Sequence, residues 1–333
     1  GETAVVMTLK NRDFIRGLED AQRGTLDFNR GVTRLSGVLA GALVNAFAAA
    51  TAAVSALGVA VAKTGAEFEY EMTQVAAISQ STASELEALT NESRRLGETT
   101  MFTAREAASG IVELAKTGLS TGEILGVTSD VLNFAGANMS DLAKAAKFTS
   151  ATMSQFNLTS SDSARIVDVF TAANQNSLFD MQSLQTAMRY GGSVAGALGR
   201  SLEETTAALG MFRNLGLEGS TAGVRFRQAM LSLIGPTGRA KDVLEKYGLT
   251  VRDVNPEVNS FKDIMITLGK TGMDVGEMAL LVSKRAAADV QQVSKALADA
   301  PAGAITEYDK LYESLMNSAG TAEETYKKFT DTV

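Results

Sequence analysis

The sequence predicts an all-α fold, with a long coiled-coil-like helix at the N-terminus followed by a compact array of short helices. Three observations predict it. Residues 16–36 repeat in heptads. From Thr82 onward, helix-start caps, four of them hydroxyl–carboxylate boxes, recur about every 20 residues. The 333 residues hold only 3 prolines, 6% aromatics and no Trp, a composition of helices with small residues at their contacts.

The opening residues hold a β-branched run, Thr3 to Leu9, that allows one minor strand. The heptads follow, each starting Arg-Gly, so that Arg16, Arg23 and Arg30 recur with Gly17, Gly24 and Gly31. Phe14, Leu18, Ala21, Thr25, Phe28, Val32, Leu35 and Leu39 are alternately four and three apart, the period of a coiled-coil seam. Asp20 and Asp27 trail Arg16 and Arg23 by four and can pair along one face. Each heptad glycine weakens a helix by about 1 kcal/mol relative to Ala, so three in register imply close backbone approach. An intermolecular coil and an amphipathic helix packed on its own domain both satisfy this pattern.

Val38 to Ala62 is a run of 25 residues without a charge, of which 11 are Ala. A membrane span needs ~20 apolar residues. The large side chains here are Leu39, Leu43, Phe47 and Leu57, and Gly37 with Gly41 forms a GxxxG. Small residues at this spacing let helices approach closely in lipid or in a tight soluble bundle. The stretch therefore reads either as a membrane span or as a buried bundle core able to enter a membrane later. The seam keeps its phase through it, which predicts one helix from about residue 12 to about residue 80, roughly 100 Å long.

Beyond Lys63 the texture changes. Capping boxes are expected at Thr82–Glu85, Thr103–Glu106, Ser120–Glu123 and Ser201–Glu204, and simpler caps at Ser140, Ser160, Asp180 and Ser220. Stops are expected at Gly97, Gly118, Gly136, Gly216, Gly235 and Gly248. Residues 249–258, with Pro256, read as irregular. Helices are expected over Phe261–Leu268 and Gly276–Ala298, and again from Ile305. The pattern from Thr321 to Val333 shows no stop, so a continuation is expected. These features divide the chain into 1–80, 81–270 and 271–333.

Composition narrows the chemistry. There is no Cys and no His, which removes disulfides, thiolate and imidazole metal sites, and Ser-His-Asp triads. A net charge of −7 argues against a dedicated duplex-binding surface and predicts no specific nucleic-acid partner. Gly191-Gly192-Ser-Val-Ala-Gly196-Ala-Leu-Gly199 has the glycine density of a dinucleotide loop, but no strand precedes it, so turns and close helix contacts explain it better. Gly235-Pro-Thr-Gly238 lacks the GK[ST] of a phosphate loop. Glu67, Glu69 and Glu71 fan around a helix. Glu203 and Glu204 suit helix capping better than glycoside hydrolysis. No catalytic, cofactor-binding or metal-binding residue is nominated.

Two blocks carry a family resemblance. Within the first, Leu96, Gly97, Phe102, Thr103, Glu106, Ala107, Ala115 and Gly118 form a helix end, a turn with an aromatic, a hydroxyl cap and a second helix end. The second places Gly199, Ser201, Glu204, Gly210, Gly216, Gly219, Gly223, Leu231 and Pro236 in order. Together they resemble the shared core of phage tail tape measure proteins, from about residue 66 to about residue 270. The resemblance implies a structural virion protein that lies in the tail lumen, sets tail length and leaves ahead of the DNA. It implies self-association, preferably as a trimer. The implied partners are the tail tube protein, tail tip or baseplate hub proteins and tail assembly chaperones, with the host membrane on ejection. No cofactor is implied. Two other readings use the same residues: a membrane-active, toxin-like helical protein, and a bacterial helical adaptor or receptor fragment.

Overall fold

Hydroxyl and carboxylate caps set the helix starts in the computed structural model, which describes residues 65–331 except residue 302. Among these residues there are sixteen helices, one 3-10 turn and no strand. The seam from Phe14 to Leu39, the stretch holding Leu43, Phe47 and Leu57, and the strand allowed at Thr3–Leu9 lie outside the described residues. Of the long first helix only the end is described, as helix α1 over 65–79. The first half of the body continues with α2 (Ala83–Thr99), α3 (Ala104–Ala115), α4 (Thr121–Ala137), α5 (Leu142–Phe156), α6 (Ser163–Asn176) and α7 (Met181–Ala197). The second half holds α8 (Leu202–Asn214), α9 (Gly219–Ile234), α10 (Gly238–Lys246), α11 (Val251–Val254) and α12 (Phe261–Lys270). The chain closes with α13 (Val275–Leu281), α14 (Ala287–Ala298), α15 (Glu307–Met316) and α16 (Thr321–Thr330). Among the described residues, no helix is long and apolar enough to cross a membrane.

Reciprocal boxes form at Thr82, Thr103 and Ser120, where each hydroxyl accepts an amide three residues on and the Glu carboxylate accepts the cap's own N–H at 2.8 Å. Thr103→Ala should lower stability by about 1 kcal/mol, because the first turn of α3 loses its cap; urea unfolding checks it. Other starts shift by a residue or two. Asp141, not Ser140, caps α5, and α9 opens at Gly219 behind Glu218. Asp180 caps α7 as expected, through the Ser183 amide at 2.7 Å.

The glycines divide into two physical kinds. Gly118, Gly216 and Gly248 take φ of +80°, +85° and +71°, the left-handed turn that ends α3, α8 and α10. Gly97 and Gly136 were expected to end helices and instead lie inside α2 and α4. A Cβ on Gly97 would stand 2.4 Å from the Ala104 backbone nitrogen, and one on Gly136 would meet the Tyr326 ring at 2.2 Å. These glycines admit a neighbour; they do not reverse the chain. The helix expected over Gly276–Ala298 is broken at Ser283, whose φ is +135°. There the Ser232 hydroxyl of α9 donates to the Val282 carbonyl at 2.9 Å, holding the chain out of the helix. Residues 249–258 contain one helical turn, α11.

Burial gathers these helices around one continuous core. In the first half Phe148 and Phe170 stack at 4.3 Å with Phe134 tilted beside them, joining α4, α5 and α6. In the second, Phe261 lies 6.0 Å from each of Phe212, Phe226 and Tyr308, joining α8, α9, α12 and α15. Such aromatic contacts add about 0.5–1.5 kcal/mol each beyond area burial.

Both ends of the body meet at the α2–α3 turn. Helix α1 lies antiparallel to α2, with Phe68 under the Arg94 guanidinium and Met72 against the Ser93 hydroxyl. Its Glu67 pairs with Arg105 of α3 at 2.8 Å. At the other end, Tyr326 of α16 fills the notch over Gly136, and its hydroxyl accepts the Met101 N–H at 3.5 Å. Asp168 of α6 fixes the start of α16 by accepting the Gly320 and Ala322 amides at 2.8 and 2.9 Å.

Candidate interaction site

Of the glycine-dense segment that resembled a nucleotide loop, Gly191, Gly192 and Gly196 lie in the C-terminal half of α7 and Gly199, at φ +68°, in the turn after it. A Cβ on Gly196 would lie 1.9 Å from the Gln155 carbonyl oxygen, and one on Gly192 would lie 2.4 Å from the Gln155 side chain. The missing Cβ atoms let the ends of α5 and α7 touch. The two helices run parallel, and their N-terminal halves part to leave a groove of about 680 Å³, within the range of ligand sites. Lys144 and Lys147 of α5 face Arg189 of α7 across it, all three exposed. No ion pair joins any of them to a carboxylate among the described residues. The one lining acid, Asp180, already accepts the Ser183 amide, which holds its carboxyl below the usual range. Side-chain amides of Asn138, Gln155, Gln182 and Gln185 complete the polar lining, and Met139, 72% exposed, forms an apolar lip.

A second cavity of about 590 Å³ lies between α6, α8 and α15 and is lined by Glu203, one of the two carboxylates that the sequence places side by side. The two part in the fold. Glu203 is buried and takes two 2.7 Å bonds from the Arg165 guanidinium. Glu204 turns away and accepts the Phe261 N–H at 2.9 Å, capping α12, with Arg200 at 3.7 Å. Ser201 therefore caps α8 with its hydroxyl alone, and the expected reciprocal box does not form. Asp168 is spent on α16. Nearby Asp130, which accepts from Ser163, has its carboxyl pushed up by burial, against that hydrogen bond and with the charges of Asp168 and Glu323 adding. Each carboxylate here supports the fold, and the described residues hold no cluster of three metal-ligating side chains. Sequence reading missed Arg165 and Asp168, whose partners lie 38 and more than 150 residues away.

Glu277 carries the most displaced carboxyl. The Lys246 ammonium, the Tyr247 hydroxyl at 2.6 Å and the Asp274 amide donate to it and hold it at about 2, against an ordinary 4.5. A depressed carboxyl stabilises the fold above its ordinary value and loses that contribution as pH falls through the folded one. NMR titration should find the Glu277 midpoint near pH 2, and Tyr247→Phe should raise it.

A family model described as phage-related minor tail protein matches residues 90–278, over half the chain, from within α2 to within α13. The chain belongs to that family. The matched minor tail segment contains the whole α5–α7 groove. A tape measure protein of Pneumococcus phage Dp-1 is 28% identical over 333 residues, 97% of this chain and 28% of its own length. A probable tape measure protein of Escherichia phage P2 is 28% identical over 234 residues, 68% of this chain and 29% of its own. The chain thus spans under a third of either relative. No solved structure matches it. These matches make the chain a structural phage tail component, and neither the toxin-like nor the adaptor reading has a counterpart among them.

Proposed function

We propose that the chain is part of a tail tape measure protein, which occupies the tail tube lumen, sets tail length during assembly and leaves ahead of the DNA. The observation that carries this reading is collinearity with the Dp-1 protein over 97% of the chain, including the heptads and the apolar stretch that precede the described body. Physical dimensions support a division of labour. A globule of about 270 residues is roughly 45–50 Å across. The same residues as one helix would reach about 400 Å. The folded body therefore adds little length, and the measuring belongs to other segments of the longer protein. The commitment of Asp168, Glu203 and Glu204 to helix caps and an ion pair supports a non-enzymatic role.

Partners follow from this reading. Copies associate through Phe14, Leu18, Ala21, Phe28, Val32, Leu35 and Leu39, preferably as a trimer. The outer surface meets the tail tube and the tail tip or baseplate hub, and assembly chaperones hold the chain in the host cytoplasm beforehand. Val38–Ala62 stays shielded in the bundle and meets the host envelope only on ejection. Deleting the gene tests the central claim: particles should lack tails, or carry tubes of uncontrolled length, until the gene is restored. Unchanged tails of uniform length would refute it. Replacing Phe28 and Val32 by Asp should reduce the oligomeric mass of the full chain in light scattering, and an unchanged mass would remove the seam.

A further inference from the structure

We propose that the groove between α5 and α7 is a docking site for an acidic, extended segment of a partner protein. Arg105, Arg165, Arg200, Arg225, Lys246 and Lys262 each face a carboxylate on the same or a neighbouring helix. Lys144, Lys147 and Arg189 do not, although they converge on one cavity of about 680 Å³. On a chain of net charge −7, three such cations around one concavity are an exception to the surrounding field.

The lining distinguishes a peptide from a nucleic acid. Three amide side chains, of Gln155, Gln182 and Gln185, can donate to and accept from an extended backbone, while that of Asn138 is held by Phe134 and Asn174. The exposed Met139 offers a soft contact for an apolar residue of the same segment. The only aromatic in the lining, Phe148, is 2% exposed and stacked on Phe170, so no ring is free for a base to stack on. The overall negative charge opposes a polyanion as long as a nucleic-acid strand, while a short carboxylate-rich segment can be held locally.

The test uses the full chain and a fluorescein-labelled hexaglutamate peptide, followed by anisotropy at two salt concentrations. Salt-dependent binding is expected, with at least a tenfold loss in K144Q/K147Q/R189Q, whose helical circular dichroism should be unchanged because all three positions are exposed. A matched variant, K241Q/K295Q/K310Q, removes the same charge from exposed positions elsewhere and should bind as the parent does. Absence of binding overturns the proposal. So does an equal loss in both variants, which would show attraction to net charge alone. Tighter binding of a single-stranded oligothymidylate, lost in the groove variant, overturns it in favour of a nucleic-acid site.

Discussion

Gly223→Val should bring down the whole domain, lowering its melting temperature by about 10 °C or more in calorimetry. Gly223 lies where α9 crosses α7. A Cβ there would stand 2.3 Å from the Ala187 carbonyl oxygen and 3.0 Å from its Cα. One turn earlier, a Cβ on Gly219 would stand 2.1 Å from the Ser183 carbonyl oxygen. The obstacle in both cases is backbone, which cannot rotate aside as a side chain can. A valine therefore forces the helices apart and draws Phe226 and Met230 out of a core in which each is 1% exposed. Overpacking at a yielding site costs about 1–3 kcal/mol. At an unyielding one the loss should reach about 4 kcal/mol or more. Gly126→Ala provides the contrast. Nothing lies within 4 Å of its Cβ direction on the exposed side of α4, so that change should stabilise by up to about 1 kcal/mol.

Removing the guanidinium that holds Glu203 has the next largest expected effect. Arg165→Met leaves a carboxylate whose side chain is 5% exposed without either of its 2.7 Å donors. Breaking a buried pair from one side costs about 3–5 kcal/mol. Here Arg165 is itself 45% exposed, so water can reach the vacated position, and about 2–3 kcal/mol is expected. Changing both residues to Met should recover most of that loss, because no charge is then left buried. Urea unfolding of the two single variants and the double variant measures the coupling directly. A double variant as unstable as Arg165→Met would show that packing around α6 and α8, not charge, sets the loss.

The same local-versus-distant division explains what could be read in the sequence. The boxes at Thr82, Thr103 and Ser120 were legible because donor and acceptor are three residues apart and carry their own geometry. The box expected at Ser201 was not formed because Glu204 serves an amide 57 residues further on. Four of the six expected glycine stops fall at helix ends, but glycine spacing could not tell Gly118, which turns the chain, from Gly97, which receives Ala104. The sequence around each is alike, and only the packed neighbour decides. The break at Ser283 was hidden for the same reason, since its cause, Ser232, is on another helix. The all-α class survived these errors because it rests on many short-range signals. The groove was illegible altogether: Lys144 and Lys147 meet Arg189 only because α6 carries the chain back to set α5 and α7 side by side.

The meeting of α1 and α16 at the α2–α3 turn governs how the body answers a pull along the chain. Its two attachment points sit side by side, so the line of tension passes beside the globule and does not stretch it from pole to pole. Load then falls on the outermost pieces: the Glu67–Arg105 pair on one side, and Tyr326 with the Asp168 cap on the other. Contacts arranged this way open in succession, like a zip, and the ten residues of α16 peel away before the aromatic centre feels any force. Drawn out fully, that helix lengthens from about 15 Å to about 35 Å, releasing about 20 Å. In an optical trap it would be seen as a short, low-force step ahead of the main rupture.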